Sequence, residues 1–249
     1  GGGDSPSGPA ALSTARVLAV AAPDTLYSGS RPLQFTATVE DSINGIENVA
    51  AVVVRLTRSD SVWFSADLEL QNITATGGGQ FGAVFDSTFA AGRLGDYSLE
   101  FSAVDRAGND SNVLAKNIYL ENEPPVLFEP DTPDTLQRQA GGRIQLHISA
   151  SDPQGYGDID SVYFKFRKPD GSFGGASEKE GGFHFVLVDN GIWRHHGDEK
   201  EGDGRFAYNF SIVENAPLGT YTFIFFSRDK VGNLGGIVQA DFELVPLEK

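Results

Sequence analysis

The 249-residue chain contains no cysteine and no methionine. Without cysteine it can form no disulfide, offer no thiolate nucleophile and build no cysteine-ligated zinc site. Many bacterial surface β-domains lack disulfides, so this absence does not fix the compartment. The lack of methionine has no evident physical reason. Long apolar runs are missing too, and no stretch reaches the roughly 18 residues that a membrane-spanning helix needs. The sequence does not open on a signal peptide, so an exported protein would be present here in its mature or a trimmed form. Basic residues are scarce, with 19 Lys and Arg against 34 Asp and Glu, a formal charge of −15. The charge divides as −1 over residues 1–15, −6 over 16–122 and −8 over 123–249. Acidity spread this way repels nucleic acid and anionic lipid, and it suits solubility or cation binding. The familiar enzyme signatures are also missing. There is no Gly-x-Ser-x-Gly elbow, no phosphate-cradling glycine loop before a helix, and no His-Glu-x-x-His.

What the sequence does have is a repeat. Leu94–Asn109 reads LGDYSLEFSAVDRAGN, and Leu218–Asn233 reads LGTYTFIFFSRDKVGN. In the first copy Tyr97, Leu99, Phe101 and Ala103 alternate with Ser98, Glu100 and Ser102, the period-two pattern of a half-buried strand. Each strand runs into Asp-x-x-Gly-Asn. There the Asp closes an Asx turn and Gly-Asn supplies the reversal of a hairpin. Final strands follow at Val113–Leu120 and Ile237–Val245.

The beginnings of the copies match as well. Pro23-Asp-Thr-Leu26 pairs with Pro133-Asp-Thr-Leu136, and Leu33–Glu40 with Ile144–Ser151. Ile46–Val54 pairs with Tyr156–Phe164. The offset grows from about 110 to 124, which places an insertion of about 14 residues in the second copy, between roughly 170 and 204. Each copy reads as about seven short strands with turn residues every 8–12 positions, and no segment shows a helical period. The expected fold is all-β: two tandem immunoglobulin-like β-sandwiches. They would occupy residues 16–122 and 123–249, joined by the short Pro-rich linker Glu121-Asn-Glu-Pro-Pro125. Consecutive prolines end strand pairing there, and so short a joint predicts two sandwiches nearly end to end. Residues 1–15, GGGDSPSGPAALSTA, read as a flexible spacer.

These motifs resemble bacterial immunoglobulin-like domains of cell-surface and secreted proteins, over about 230 residues. The likeness rests on Asp-x-x-Gly-Asn after a Tyr-rich strand, on Ser151–Tyr163, and on GDEKEGDGRF at Gly197–Phe206. Such domains serve as spacers, adhesive modules or companions of catalytic domains. The resemblance therefore implies a non-catalytic extracellular module for adhesion, assembly or display. Its partner would be a protein or polysaccharide at the cell surface. The glycine-rich start is similar to the tether that follows the lipidated cysteine of a surface lipoprotein, which would put a lipid anchor in the native precursor. The linker has a weaker likeness to calcium-binding cadherin joints but lacks their Asp-rich core.

Candidate site residues lie mostly in the second copy. Asp189, Asp198, Glu201 and Asp203 sit among glycines in the insertion and offer oxygens for a calcium ion. Asp152 and Asp158 form a second acidic loop that could share an ion with Glu121 and Glu123. The competing reading of both groups is plain turn chemistry, with Asp as the Asx residue. Trp193 could stack on a sugar face, and His195 and His196 with Asp198 could bind a transition metal. Otherwise Trp193 closes the edge of the core. Trp63 reads as core, and Gly77-Gly-Gly79 as a hairpin loop. An accessory carbohydrate-binding module and a carboxylate-based hydrolase remain as alternatives. A sandwich of this size has little room for the hydrolase's cleft.

Overall fold

The computed structural model describes residues 14–26, 32–139, 142–174 and 185–247. The chain divides into two compact units, Gly1–Glu121 and Asn122–Lys249. Most of the spacer and the middle of the insertion, residues 175–184, lie outside the described residues.

Among its described residues unit 1 contains nine strands. They are β1 (Ala15–Ala21), β2 (Thr25–Leu26), β3 (Leu33–Asp41), β4 (Val49–Arg58), β5 (Ser61–Asp67), β6 (Glu69–Ile73), β7 (Gly79–Phe85), β8 (Gly95–Asp105) and β9 (Leu114–Leu120). One sheet runs β1-β3-β7-β6, and the other β2-β9-β8-β4-β5. The alternation in Leu33–Asp41 places Leu33, Phe35, Ala37 and Val39 inward. Across the gap they meet Val52, Val54 and Leu56 of β4 and Leu99, Phe101 and Ala103 of β8, in a single buried cluster. Burying each large side chain contributes about 1.5–3 kcal/mol, and that apolar contact holds the two sheets face to face.

Among its described residues unit 2 repeats the plan with eight strands: β10 (Val126–Asp131), β11 (Thr135–Gln137), β12 (Arg143–Ser151), β13 (Ile159–Arg167), β14 (Phe185–Leu187), β15 (Arg205–Ser211), β16 (Gly219–Asp229) and β17 (Val238–Val245). Its sheets run β10-β12-β15 and β11-β17-β16-β13-β14. The short strands β2 and β11 pair parallel to the last strand of their own unit, Thr25 opposite Tyr119 and Thr135 opposite Glu243. Among the described residues the units therefore share one topology, and β6 has no counterpart in unit 2. In its place unit 2 carries the loop 188–204, which contains a four-residue helix, α1 (Trp193–His196). Helical periodicity cannot reveal so short an element. The repeated Asp-x-x-Gly-Asn turns are alike, with Gly108 and Gly232 both at positive φ, 83° and 98°, where a side chain would be strained. Both copies are immunoglobulin-like β-sandwiches.

One expectation fails within the fold. Trp63 is not core: it is 52% exposed. In the β4–β5 register Leu56 faces Phe64 and Thr57 faces Val62, so Trp63 is the extra residue of a β-bulge. The bulge shifts the alternation by one. Phe64 takes the inward place, edge-on to Phe85 and Phe89 at 5.3 and 5.1 Å.

Candidate functional site

The predicted site residues gather in two places in unit 2. The first is the loop 188–204. Asp189 accepts from the backbone amides of Gly202 at 2.6 Å and Gly204 at 2.8 Å. Asp198 is buried, and its Oδ2 accepts from the amides of Asn190 and Gly191. Asp203 accepts from the Arg205 amide at 3.0 Å. Oxygens of Asp189, Asp198 and Asp203 lie within 4.8 Å of one another, whereas Glu201 stands outside the group. Much of the acceptor capacity here is spent on cross-bracing the loop, because backbone N–H groups that fold away from a ladder need other partners. Tyr156 joins the same corner: burial and its hydrogen bond to Asp189 push the phenol up to about 12.

Strands β12 and β15 hold α1 in place. The Asn209 amide donates to the His195 carbonyl at 3.0 Å, and His147 Nε2 lies 3.0 Å from the Gly197 carbonyl. Gly197 ends the helix in the left-handed region at φ 85°, the usual place for glycine. Trp193 does not close the core: it is 44% exposed, beside Ile192 at the same value. The amide of Asn190 lies 3.0 Å from Nδ1 of His196, and His195 points to solvent. Among the described residues neither histidine gathers with Asp198 into a metal-binding group, so the transition-metal expectation has no geometric support.

The second place is a buried corner at one end of unit 2. Oxygens of Asp152, Asp158 and Asp229 lie within 4.8 Å of one another. Asp158 and Asp229 are 0% and 1% exposed, and Asp152 is 9% exposed. Asp152 directly follows β12, Asp158 lies in the 3-10 turn Tyr156–Asp158 ahead of β13, and Asp229 ends β16. Asp229 accepts from the amides of Val231 and Asn233 and from the Asn233 side chain at 2.8 Å. Asn122 donates to Asp158 Oδ2 at 2.6 Å. Asp152 Oδ1 accepts from the Gln154 amide at 2.7 Å, but its buried Oδ2 has no partner among the described residues. Burial pushes the Asp152 carboxyl up to about 6, and the charges of Asp158, Asp229 and Glu123 add to the effect. Asp160, the remaining acid of this loop, points away and pairs with Arg228 at 2.6 Å.

The sequence reading singled out Asp152 and Asp158 but treated Asp229 only as a turn residue. The repeat itself held the missing signal. Asp41, Asn48 and Asp105 of unit 1 occupy the positions of Asp152, Asp158 and Asp229. In unit 1 the Asn48 amide donates to Asp41 Oδ2 at 2.8 Å, and the Thr14 hydroxyl does so at 2.7 Å. Burial opposes ionisation of Asp41, yet the amides of Asn44, Asn48 and Ile43 and the Thr14 hydroxyl outweigh it. They hold that carboxyl well below the usual range.

No protein-family model matches the chain, and no curated protein sequence matches it. Among solved structures the chain is similar to the fibronectin(III)-like modules of Clostridium thermocellum CbhA. That likeness has 13% identity over 91% of this chain and 94% of that one, with a TM-score of 0.32. It is similar to the titin domains Z1Z2 in complex with telethonin, with 15% identity over 93% and 98% and a TM-score of 0.33. A PKD domain of an M14-like peptidase from a Thermoplasmatales archaeon covers 51% of this chain and 100% of its own, with 15% identity and a TM-score of 0.29. These likenesses are weak, and the fold class rests on the strand order and register of the two units themselves.

Proposed function

We propose that the chain is a non-catalytic docking module of a cell surface or of secretion, serving adhesion, assembly or display. The observation that carries this reading is the Ile192–Trp193 pair. Both side chains are 44% exposed, on a loop held rigid by buried or half-buried carboxylates and absent from unit 1. An exposed aromatic on a pre-ordered loop supplies contact area at low entropic cost, which is what a binding surface needs. The carboxylates that converge in unit 2 are taken up by backbone amides or closed off from solvent, which does not suit hydrolysis at an open cleft. The apolar cavity of about 360 Å³ lined by Phe166, Tyr221 and Phe242 carries Lys168 and no carboxylate among the described residues.

A polysaccharide is the alternative partner, favoured by the flat exposed indole of Trp193. The test uses labelled protein bound to whole bacterial cells and to purified polysaccharides. Trp193→Ala should weaken binding at least about tenfold, as loss of a central aromatic anchor does. Loss on cells alone identifies a surface protein, and loss on polysaccharide identifies the accessory-module reading. Undiminished binding of the variant contradicts both.

A further inference from the structure

We propose that Asp152, Asp158 and Asp229 hold a calcium ion inside unit 2. The first ground is size. Calcium sits about 2.3–2.6 Å from its oxygens, so ligands on opposite sides of one ion are about 4.6–5.2 Å apart. The three carboxylates offer oxygens within 4.8 Å of one another, a spacing that a single ion fills.

The second ground is charge at depth. Three carboxylates this buried repel one another in a medium that screens them poorly. Asp158, Asp229 and Glu123, all acidic, act on Asp152. Unit 1 solves the same corner differently. There Asn48 stands where unit 2 has Asp158, and its amide satisfies Asp41. The two units share topology, the 3-10 turn after a positive-φ glycine (Gly45 at 79°, Gly155 at 96°) and the Asp-x-x-Gly-Asn turn. Against that common frame the exchange of an amide for a carboxylate removes a donor and adds a negative charge. A cation answers both changes.

The third ground is independent of the cluster's charge. Asp152 Oδ2 is buried within the corner and has no hydrogen-bond partner among the described residues. Buried carboxylate oxygens are rarely left so, because each costs the desolvation of an unsatisfied acceptor. Gln154, two residues on and 1% exposed, has its Oε1 taken by the Glu123 amide at 3.0 Å, and its buried Nε2 also has no partner among the described residues. Among the described residues the Asp189–Asp198–Asp203 group has no comparable orphan: each of its members accepts from backbone amides, and Asp203 is exposed. Of the two acidic loops that the sequence offers for calcium, the corner is the one that these observations favour.

The experiment is calorimetric titration of calcium into chelator-stripped full-length chain, with melting curves in parallel. The wild type should bind one ion and melt about 5–10 °C higher at a hundredfold excess over Kd. Asp158→Asn copies unit 1, where an amide fits the corner, so it should fold, lose at least tenfold in calcium affinity and melt higher when metal-free. Asp203→Asn should bind like the wild type. Absence of calcium heat and of a melting shift in the wild type overturns the proposal, as does unchanged binding by Asp158→Asn. If Asp158→Asn raises the melting point while calcium leaves the wild type unmoved, the carboxylates share a proton, and the proposal falls.

Discussion

At the scale of single residues, Asp41 and Asp152 show how neighbours decide what a buried carboxylate does. Asp41 ends β3 and Asp152 directly follows β12, at corresponding places in the two units. Asp41 receives donors at both oxygens, and Asp152 receives one at a single oxygen. A carboxyl whose folded value lies below its unfolded value stabilises the fold above the unfolded value and loses that contribution as pH falls toward the folded one. Asp41 is such a group. Asp41→Asn should therefore cost about 1–2 kcal/mol at pH 7, since it sets an amide against the donors of Asn48 and Thr14. The gap between wild type and variant should narrow as pH drops below about 4. Urea melts at pH 7 and pH 3 measure it, and a gap that widens in acid contradicts this account of Asp41.

At the scale of elements, period two was enough to place most strands. Leu33–Glu40 alternates without interruption, and its inward residues are the ones that pack. Where one residue was added, the pattern misled. The bulge in β5 turned Trp63 outward and Phe64 inward, and alternation carries no mark of such an insertion until the partner strand is known. Strand β6 was illegible because all five of its residues are exposed, and α1 because one turn has no period. The consequence for stability is a sharp contrast between two aromatics. Phe164 is fully buried, with Phe185 and Phe223 at 5.1 and 5.6 Å, so Phe164→Ala should cost about 3–5 kcal/mol. Trp63→Ala should cost about 0.5 kcal/mol or less, as surface changes do. Denaturant melts of the two variants check the pair, and a Trp63→Ala loss near that of Phe164→Ala would mean that the bulge is wrongly placed.

At the scale of the whole molecule, the chain uses one sandwich frame twice and varies it at the loops. The duplication was legible because turn chemistry is local: Asp-x-x-Gly-Asn signals the same reversal wherever it occurs. The carboxylate corner was only partly legible, because Asp152, Asp158 and Asp229 come together from three separate strand ends, and that convergence exists only in the fold. Asp229 already had a sufficient local role in its own turn, which hid the second one. The corner and the Trp193 loop make separate claims, and Asp158→Asn and Trp193→Ala test them separately. The most direct measurement of the central claim is amide hydrogen exchange along the full chain, with and without calcium. Calcium should slow exchange in the segments around residues 152–160 and 227–235 and leave the unit 1 counterparts, 41–50 and 103–111, unchanged. Slowing confined to residues 189–204, equal slowing in both units, or no slowing at all would contradict it.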